Sequence, residues 1–375
     1  MKTLLNPKIK SPDIQLPPEH ELVICCTRVH AKAHTVERIK SLVQQSLDWQ
    51  YVIRLAQQQG VMPLLYVNLQ KICAASVPIN VLQSLEQLFS TNRFSSLLLT
   101  SELIKIFTLL EKQAIAVVPY KGPVLAAAVY GDVSLRQYCD LDLVLQQENI
   151  LPVKQLLIEQ GYEPKDSMTE AEELAFLQSK TEHNYTLVHY GKKIIVELHW
   201  RITPRFTSLI EPKHFWQNLK PASLAGANFL NLSLEDWLPI LCVHGSRHRW
   251  ERLTWLCDIA EIMRLRPDLD WDAVIARSQV LVCRRMLYLG ILLAHDLLDA
   301  PLPEQVLRKM QADREVMLLV NSTYQQLLYK MNVSDQFLGK TIYQIRVSDR
   351  LQEKALYLQS FLQWLVNPDK GIMHH

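Results

Sequence analysis

The stretch YKGPVLAAAVYGDVSLRQYCDLDLVL, residues 120–145, places two carboxylates, Asp140 and Asp142, inside an apolar run. Its last part, DLDLVL, is short and rich in leucine, which is typical of a buried strand. Before it, PVLAAAVYG predicts a helix, because Pro123 suits a first helical turn and Gly131 suits a helix end. Side chains two residues apart on a strand point the same way, so the two carboxylates are expected to share one face.

The flanking segments alternate between strand and helix patterns. They predict a strand in AIAVVPYKG (114–122), a helix in ILPVKQLLIEQG (150–161), and a hairpin that turns near Gly191 in HNYTLVHYGKKIIVELHWRI (183–202). Outside this region the apolar residues recur at helical spacing. We therefore expect an α+β, mainly helical fold, with a small mixed-sheet core at 99–232 between helical domains at 1–98 and 233–375.

Two local signals mark helices before the core. Asp48 before Trp49 and Gly60 after RLAQQQ are a plausible helix start and stop. SSLLLTSELIKIFTLLEKQ (95–113) predicts a long helix that leads into the first strand.

Composition limits the class of protein. The chain has 375 residues and only 10 glycines, and this low glycine content favours long helices. Its formal net charge of +2 gives no overall positive surface of the kind that binds polymeric nucleic acid. The seven cysteines are scattered and form no CxxC pair, so they are expected to be reduced core residues in a cytoplasmic protein. No apolar stretch approaches the ~18 residues of a membrane span, so no membrane partner is expected.

The paired aspartates require a positive partner, because two carboxylates on one buried face repel each other. A divalent metal fits, since Mg²⁺ prefers oxygen ligands and a third carboxylate allows two ions to bind. Glu197 is the expected third acid, because strand alternation puts it on one face with His199 and Arg201. The alternative is a solvated strand end without a metal.

Three stretches together resemble a family: YKGPVLAAAVYGDVSLRQYCDLDLVL, HNYTLVHYGKKIIVELHW and HGSRHRWERLTWLCDIAEI. They are similar to the poorly characterised bacterial nucleotidyltransferases of the DNA polymerase β-like superfamily. The resemblance implies a nucleoside triphosphate substrate with two Mg²⁺ ions, Mn²⁺ being possible in their place. It implies that Asp140 and Asp142 ligate metal and that Glu197 is the third ligand or a base. One departure is Lys121-Gly122-Pro123, where the superfamily usually has Gly-Ser.

Six residues of the core are candidate nucleotide contacts. Lys121 and Gly122 open a helix, where backbone N–H groups and a lysine charge attract a triphosphate, although they can equally form a simple turn. Arg136 is either a contact to the β- or γ-phosphate or a surface arginine of a loop. His183 and His199 are either hydrogen-bond donors to phosphate or acceptor, or structural histidines. Arg201, on the predicted face of Glu197, is a further candidate.

The segment HGSRHRWERLTWLCDIAEI adds a second cluster. His244 and His248, four residues apart, are expected on one face of a helix, but no glutamate lies between them as H-E-x-x-H zinc chemistry requires. His248 and Arg252, with the neighbouring tryptophans, are candidate nucleotide contacts. Helix packing with solvated arginines is the alternative, and Asp258 is a possible ion-pair partner.

These patterns predict a Mg²⁺-dependent nucleotidyltransferase that moves a nucleoside monophosphate to an acceptor hydroxyl or phosphate and releases pyrophosphate. One alternative is an AMP-transferring modifier of a protein or natural product. Another is a helical binding protein with an inactive transferase core. The acceptor, small molecule or protein, is not identified by these patterns.

Overall fold

The computed structural model describes residues 16–179, 181–204, 207–208, 210–216, 218–329 and 336–366. Within these residues the chain forms a five-stranded sheet and a two-stranded sheet, surrounded by helices. The predicted α+β, mainly helical class is confirmed. None of the described helices combines the length and apolar character needed to span a bilayer.

Five helices precede the sheet. They are α1 (Pro18–Cys25), α2 (Ala33–Val43), α3 (Trp49–Gln58), α4 (Met62–Cys73) and α5 (Ile79–Lys112). The predicted start of α3 is confirmed, because an Asp48 carboxylate oxygen accepts a hydrogen bond from the Tyr51 N–H at 2.9 Å. Gly60, just after α3, has φ +70°, a conformation that favours glycine.

Helix α5 is longer than the pattern at 95–113 indicated. It has 34 residues and runs unbroken through position 98. Its second half is buried along one face, by Leu99, Leu103, Ile106, Phe107 and Leu110. The division of the chain into domains at 98 and 232 stays a prediction; the second position lies just before a helix.

The central sheet is mixed. Its strands are β1 (Val118–Pro119), β2 (Asp140–Val144), β3 (Glu163–Pro164), β4 (Asn184–His189) and β5 (Ile194–His199), in the order β1-β2-β5-β4-β3. Strands β2 and β5 are parallel, and the other neighbours are antiparallel. The helices of this unit are α6 (Gly122–Tyr130), α7 (Ile150–Glu159) and α8 (Glu170–Gln178). The predicted hairpin at 183–202 is thus present as β4 and β5.

A short helix and a second hairpin follow, which the sequence analysis did not predict. They are α9 (Lys213–Trp216), β6 (Lys220–Leu224) and β7 (Ala227–Asn231). The two residues between these strands, Ala225 and Gly226, both have positive φ, as two-residue hairpin turns of the primed type require. Phe229 of β7 stacks on Phe107 of α5 at 4.9 Å between ring centroids.

Eight helices complete the described chain. They are α10 (Leu234–Arg247), α11 (Leu253–Leu265), α12 (Trp271–Val280), α13 (Arg284–Leu298), α14 (Glu304–Gln311), α15 (Arg314–Tyr329), α16 (Gln336–Val347) and α17 (Leu351–Val366). Helix α13 packs against α10, α11 and α15, and α11 also contacts α6.

The expectation of one continuous helix through HGSRHRWERLTWLCDIAEI is wrong. Helix α10 ends at Arg247 and α11 begins at Leu253, because Arg249 and Trp250 have φ +52° and +57°. The indole of Trp250 is fully buried against Gly245 and Gly290, where a Cβ atom would come within 3 Å of the ring. Trp250 is thus both a residue of the turn that separates the two helices and a buried residue of the core.

Candidate active site

The parallel pairing of β2 and β5 brings two acids together. Asp142 is the register partner of Glu197, so both side chains leave the same face of the sheet from adjacent strands. Asp142 is 3% exposed, and Glu197 is half-buried. The structure therefore places the D-x-D strand and the predicted third acid in one site.

His199 lies between these two acids. Its Nε2 atom is 3.1 Å from Asp142 Oδ1 and 3.1 Å from Glu197 Oε2. One ligand atom from each of the three residues lies within 4.8 Å of the others, which makes this cluster a candidate metal site. The sequence pattern predicts His199 as a phosphate or acceptor contact, whereas in the structure it lies between the two acids.

Asp140 lies two residues before Asp142 on β2, so the two side chains share one face of the sheet as predicted. It starts β2, pairs with Ile195 and is half-buried, and it is not a member of the three-residue cluster. Burial raises the pKa of Asp140 to about 6, and the nearby charge of Asp142 contributes to the rise. Asp140 is thus near enough to Asp142 and Glu197 for their negative charges to raise its pKa.

Lys121 supplies a second positive group. Its Nζ is 3.0 Å from Asp142 Oδ1, and its side chain is 12% exposed. It directly precedes α6, whose first residue, Gly122, has φ +60°. This positive φ explains the glycine, because most side chains strain there. Trp237 fixes the preceding residue, since its Nε1 donates a hydrogen bond to the Tyr120 carbonyl at 2.7 Å.

The site is balanced by these opposite charges. Burial raises the pKa of Asp142, but Lys121 and His199 outweigh burial and lower the net pKa. For His199, burial lowers the pKa, yet its hydrogen bonds to the two acids raise it overall. The pKa of Glu197 falls despite burial because of the same histidine. The cluster thus keeps its carboxylates ionised, as a cation site needs.

Arg136 is placed away from solvent. Its guanidinium donates from Nε and Nη2 to both carboxylate oxygens of Asp258, and the side chains are 6% and 0% exposed. The Tyr130 hydroxyl donates to the same carboxylate at 2.7 Å. The interpretation of Arg136 as a solvated surface arginine is therefore wrong, and its guanidinium is bound to Asp258. The possibility that Asp258 is an ion-pair partner is confirmed.

His183 and Arg247 lie beside the cluster. The His183 ring centroid is 5.8 Å from that of His199, and its Nε2 is 3.2 Å from Arg247 Nη1. Burial lowers the pKa of His183 far below its ordinary value, and Arg247 lowers it further, so the ring is neutral. Because arginine only donates, Nε2 of the neutral His183 ring accepts from Arg247, and its Nδ1 carries the proton.

Arg201 lies beyond the end of β5, so strand alternation does not place it on one face with Glu197 and His199. The strand ends at His199, and Arg201 donates from Nη1 to the carbonyls of Ser179 at 2.7 Å and Glu182 at 3.2 Å. It holds the segment before β4 against the end of β5. Its predicted contact with nucleotide remains a prediction.

The turn between α10 and α11 carries the other predicted contacts. His248 and Arg252 are both exposed in this turn. The His248 ring lies 5.2 Å from Trp255 and 4.7 Å from His244. Although His248 reaches solvent, the protein around its ring partly removes water from it and lowers its pKa to about 4, and the charges of Arg247, Lys121 and Arg252 contribute to the lowering. These couplings indicate that the turn lies near Lys121.

The donor set of the cluster suits a divalent cation. Two carboxylates and an imidazole nitrogen already lie within 4.8 Å of one another. Carboxylates bind Mg²⁺ and Mn²⁺, and imidazole also binds Mn²⁺ and later first-row ions. The residues present therefore fit a divalent metal, held by Asp142 and Glu197 with Asp140 nearby.

The fold and the site thus define an α+β protein with an acidic, cation-compatible cluster beside a lysine at a helix start. A family model described as uncharacterised nucleotidyltransferase matches residues 45–299, which is more than half of the chain. The chain belongs to this nucleotidyltransferase family. No curated protein and no solved structure matches it.

Proposed function

We propose that the protein transfers a nucleoside monophosphate from a nucleoside triphosphate to an acceptor hydroxyl or phosphate, with release of pyrophosphate. The observation that carries the proposal is the convergence of Asp142, Glu197 and His199 within 4.8 Å. Lys121, at the start of α6, contacts the same Asp142. In a member of a nucleotidyltransferase family, this arrangement supports a cation site next to a phosphate site.

The triphosphate is assigned to the start of α6. Backbone N–H groups at a helix N-terminus attract anions, and Gly122 leaves the backbone open to close approach. Lys121 adds a positive charge, although Pro123 offers no N–H. The side chain of Lys121 lies between Asp142 and the ring of Tyr120, whose centroid is 4.9 Å from Nζ. Lys121 is thus held ready to bind phosphate oxygens.

The metal is assigned to the carboxylates of Asp142, Glu197 and Asp140. These three residues would hold up to two Mg²⁺ or Mn²⁺ ions. When bound, such ions supply Lewis acidity to the acceptor oxygen and to the departing pyrophosphate. Nε2 of His199 lies 3.1 Å from one oxygen of Asp142 and 3.1 Å from one oxygen of Glu197, so the three ligand atoms are held close together. Neutral His183, next to His199, accepts from Arg247 through Nε2, so its Nδ1–H is left to donate a hydrogen bond to a phosphate or acceptor oxygen.

The turn that follows α10 is assigned to the nucleoside and its outer phosphates. His248 and Trp255 present aromatic rings 5.2 Å apart, and a base can stack on such a surface. Arg252 is exposed in the same turn and free to reach a phosphate. Arg136, held by Asp258, is assigned a structural role instead.

A cavity of about 500 Å³ lies at the carboxyl ends of β2 and β5, and Trp200, Arg201, Trp216 and Gln146 are among its lining residues. Its lining includes none of Lys121, Asp142, Glu197 and His199, so the acceptor is assigned to the acidic cluster rather than to this cavity. The alternative, AMP transfer to a protein or natural product, differs only in which acceptor binds beside the cluster.

The test is transfer of label from each α-³²P nucleoside triphosphate, incubated with the protein, Mg²⁺ or Mn²⁺ and a cell lysate. We expect label on an acceptor with the native chain, and none with Asp142→Asn or Glu197→Gln. Glu163→Gln, an exposed acid of the same sheet, is the matched control and should keep activity. Label that runs with protein selects the modifier alternative. If calorimetry detects no metal-dependent binding of nucleoside triphosphate to the native chain, the alternative of an inactive binding protein is supported instead.

A further inference from the structure

We propose that His199 releases its Nε2 proton to solvent and becomes a direct ligand of the cation through Nε2, and that the site therefore prefers Mn²⁺, or another divalent first-row transition ion, over Mg²⁺. This inference rests on the cation site of the proposed function and adds the identity of the ion. For the ion bound at the cluster, the proposed ligands are Asp142, Glu197 and His199, in place of the three carboxylates of Asp140, Asp142 and Glu197.

The spacing of the three ligand atoms supports the mixed set. The Nε2 atom of His199 is 3.1 Å from one oxygen of Asp142 and 3.1 Å from one oxygen of Glu197. Ligands about 2.1 Å from a first-row ion are separated by about 3 Å from their neighbours in an octahedral arrangement. The two nitrogen–oxygen distances are already of this size.

Strand geometry explains why these three atoms stay together. Asp142 and Glu197 face each other across the parallel β2–β5 pair, and His199 follows Glu197 by two residues on the same face. All three residues belong to regular strands, which hold ligands more precisely than loops. The 3% exposure of Asp142 and 2% exposure of His199 further restrict their movement.

The chemistry of the ligands sets the preference. A site of carboxylates and water suits Mg²⁺, which is bound by oxygen, whereas an imidazole nitrogen favours first-row transition ions. The third ligand atom within 4.8 Å of the Asp142 and Glu197 oxygens is the His199 nitrogen, whereas Asp140 is not a member of this cluster. Lys121 contacts Asp142 at 3.0 Å and supplies positive charge, but no ligand atom while it is protonated.

The test is electron spin echo envelope modulation on the full chain with Mn²⁺ and without nucleotide, since nucleotide bases carry nitrogen. We expect modulation from a directly bound ¹⁴N nucleus. Labelling the native chain with ¹⁵N-histidine should convert this signal to the ¹⁵N pattern, which needs no variant and so survives any folding defect. Bound Mn²⁺ without nitrogen modulation overturns the proposal, and His199 then only hydrogen-bonds to the acids.

Variants add an affinity measurement. His199→Asn should weaken Mn²⁺ binding about tenfold or more and change Mg²⁺ binding much less, so that the preference is lost. His189→Asn is the matched control, because His189 lies on the same hairpin with its ring against Tyr162. Equal weakening for both ions overturns the proposed preference. Transfer of ³²P label reports the proposed function separately, so either idea can fail while the other stands.

Discussion

Arg136 and Asp258 form a buried, two-pronged ion pair across 122 residues of sequence. Nε and Nη2 of the arginine donate to the two carboxylate oxygens at 2.9 and 3.0 Å. Arg136 lies in the segment that leads into β2, and Asp258 lies in α11, so the pair ties the acidic strand to the C-terminal helices. Tyr130 of α6 joins the same carboxylate.

Breaking this pair is expected to destabilise the fold. Arg136→Leu leaves the Asp258 charge buried without its partner, which should cost about 3–5 kcal/mol in urea unfolding. Adding Asp258→Asn should recover part of that loss. Arg308→Ala, which removes an exposed ion pair with Glu304, is the control and should leave the midpoint unchanged. An unfolding midpoint for Arg136→Leu equal to that of the native chain would contradict this account.

Gly245 is expected to tolerate no side chain. A Cβ atom there would lie 2.3 Å from the buried ring of Trp250. Gly245→Ala should therefore displace the ring and destabilise the protein by about 1–3 kcal/mol or more, measured by thermal or urea unfolding. Gly191→Ala is the comparison, since its nearest neighbour is the His189 ring at 3.5 Å, an ordinary contact. Equal stability of the two variants would argue against a tight fit around Trp250.

Lys121 is expected to matter for turnover more than for folding. Lys121→Met removes the positive charge assigned to the triphosphate, and kcat/KM for the nucleotide should fall on the order of 100-fold. Lys121→Arg should keep the charge and part of the activity. Lys112→Met, an exposed lysine at the end of α5, serves as the control. Unchanged kinetics for Lys121→Met would remove this lysine from the phosphate site.

The contribution of Glu353 to stability should fall as pH rises from the ordinary pKa of a glutamate toward 7. Glu353 of α17 is 2% exposed, and burial raises its pKa to about 7, an effect that Arg350 partly offsets. A carboxyl whose pKa is raised by folding stabilises the fold at low pH, and this contribution is lost between its unfolded value and pH 7. Glu353→Gln should flatten this slope and, at pH 8, stabilise the chain by on the order of 1–3 kcal/mol. Glu148→Gln, an exposed acid, should keep the native slope.

Local pattern was sufficient for much of the fold and part of the site. The helix over PVLAAAVYG is observed as α6, which ends at Gly131 with φ +76°. DLDLV is observed as β2, and the paired strands around Gly191 as β4 and β5. These elements depend on periodicity and on turn residues, which are properties of neighbouring residues. The short hairpin at Ala225-Gly226 had the same kind of signal and was missed.

By itself, the sequence determined the class of fold, the acidic strand and the family, because each depends on residues close together in the chain. Only the tertiary structure decided which distant groups meet. Strand pairing placed His199 between Asp142 and Glu197 and left Asp140 outside the cluster. Helix packing bound Arg136 to Asp258 and turned the chain after Arg247. Such contacts depend on which buried charges and rings find partners across the fold, and no local pattern encodes that choice.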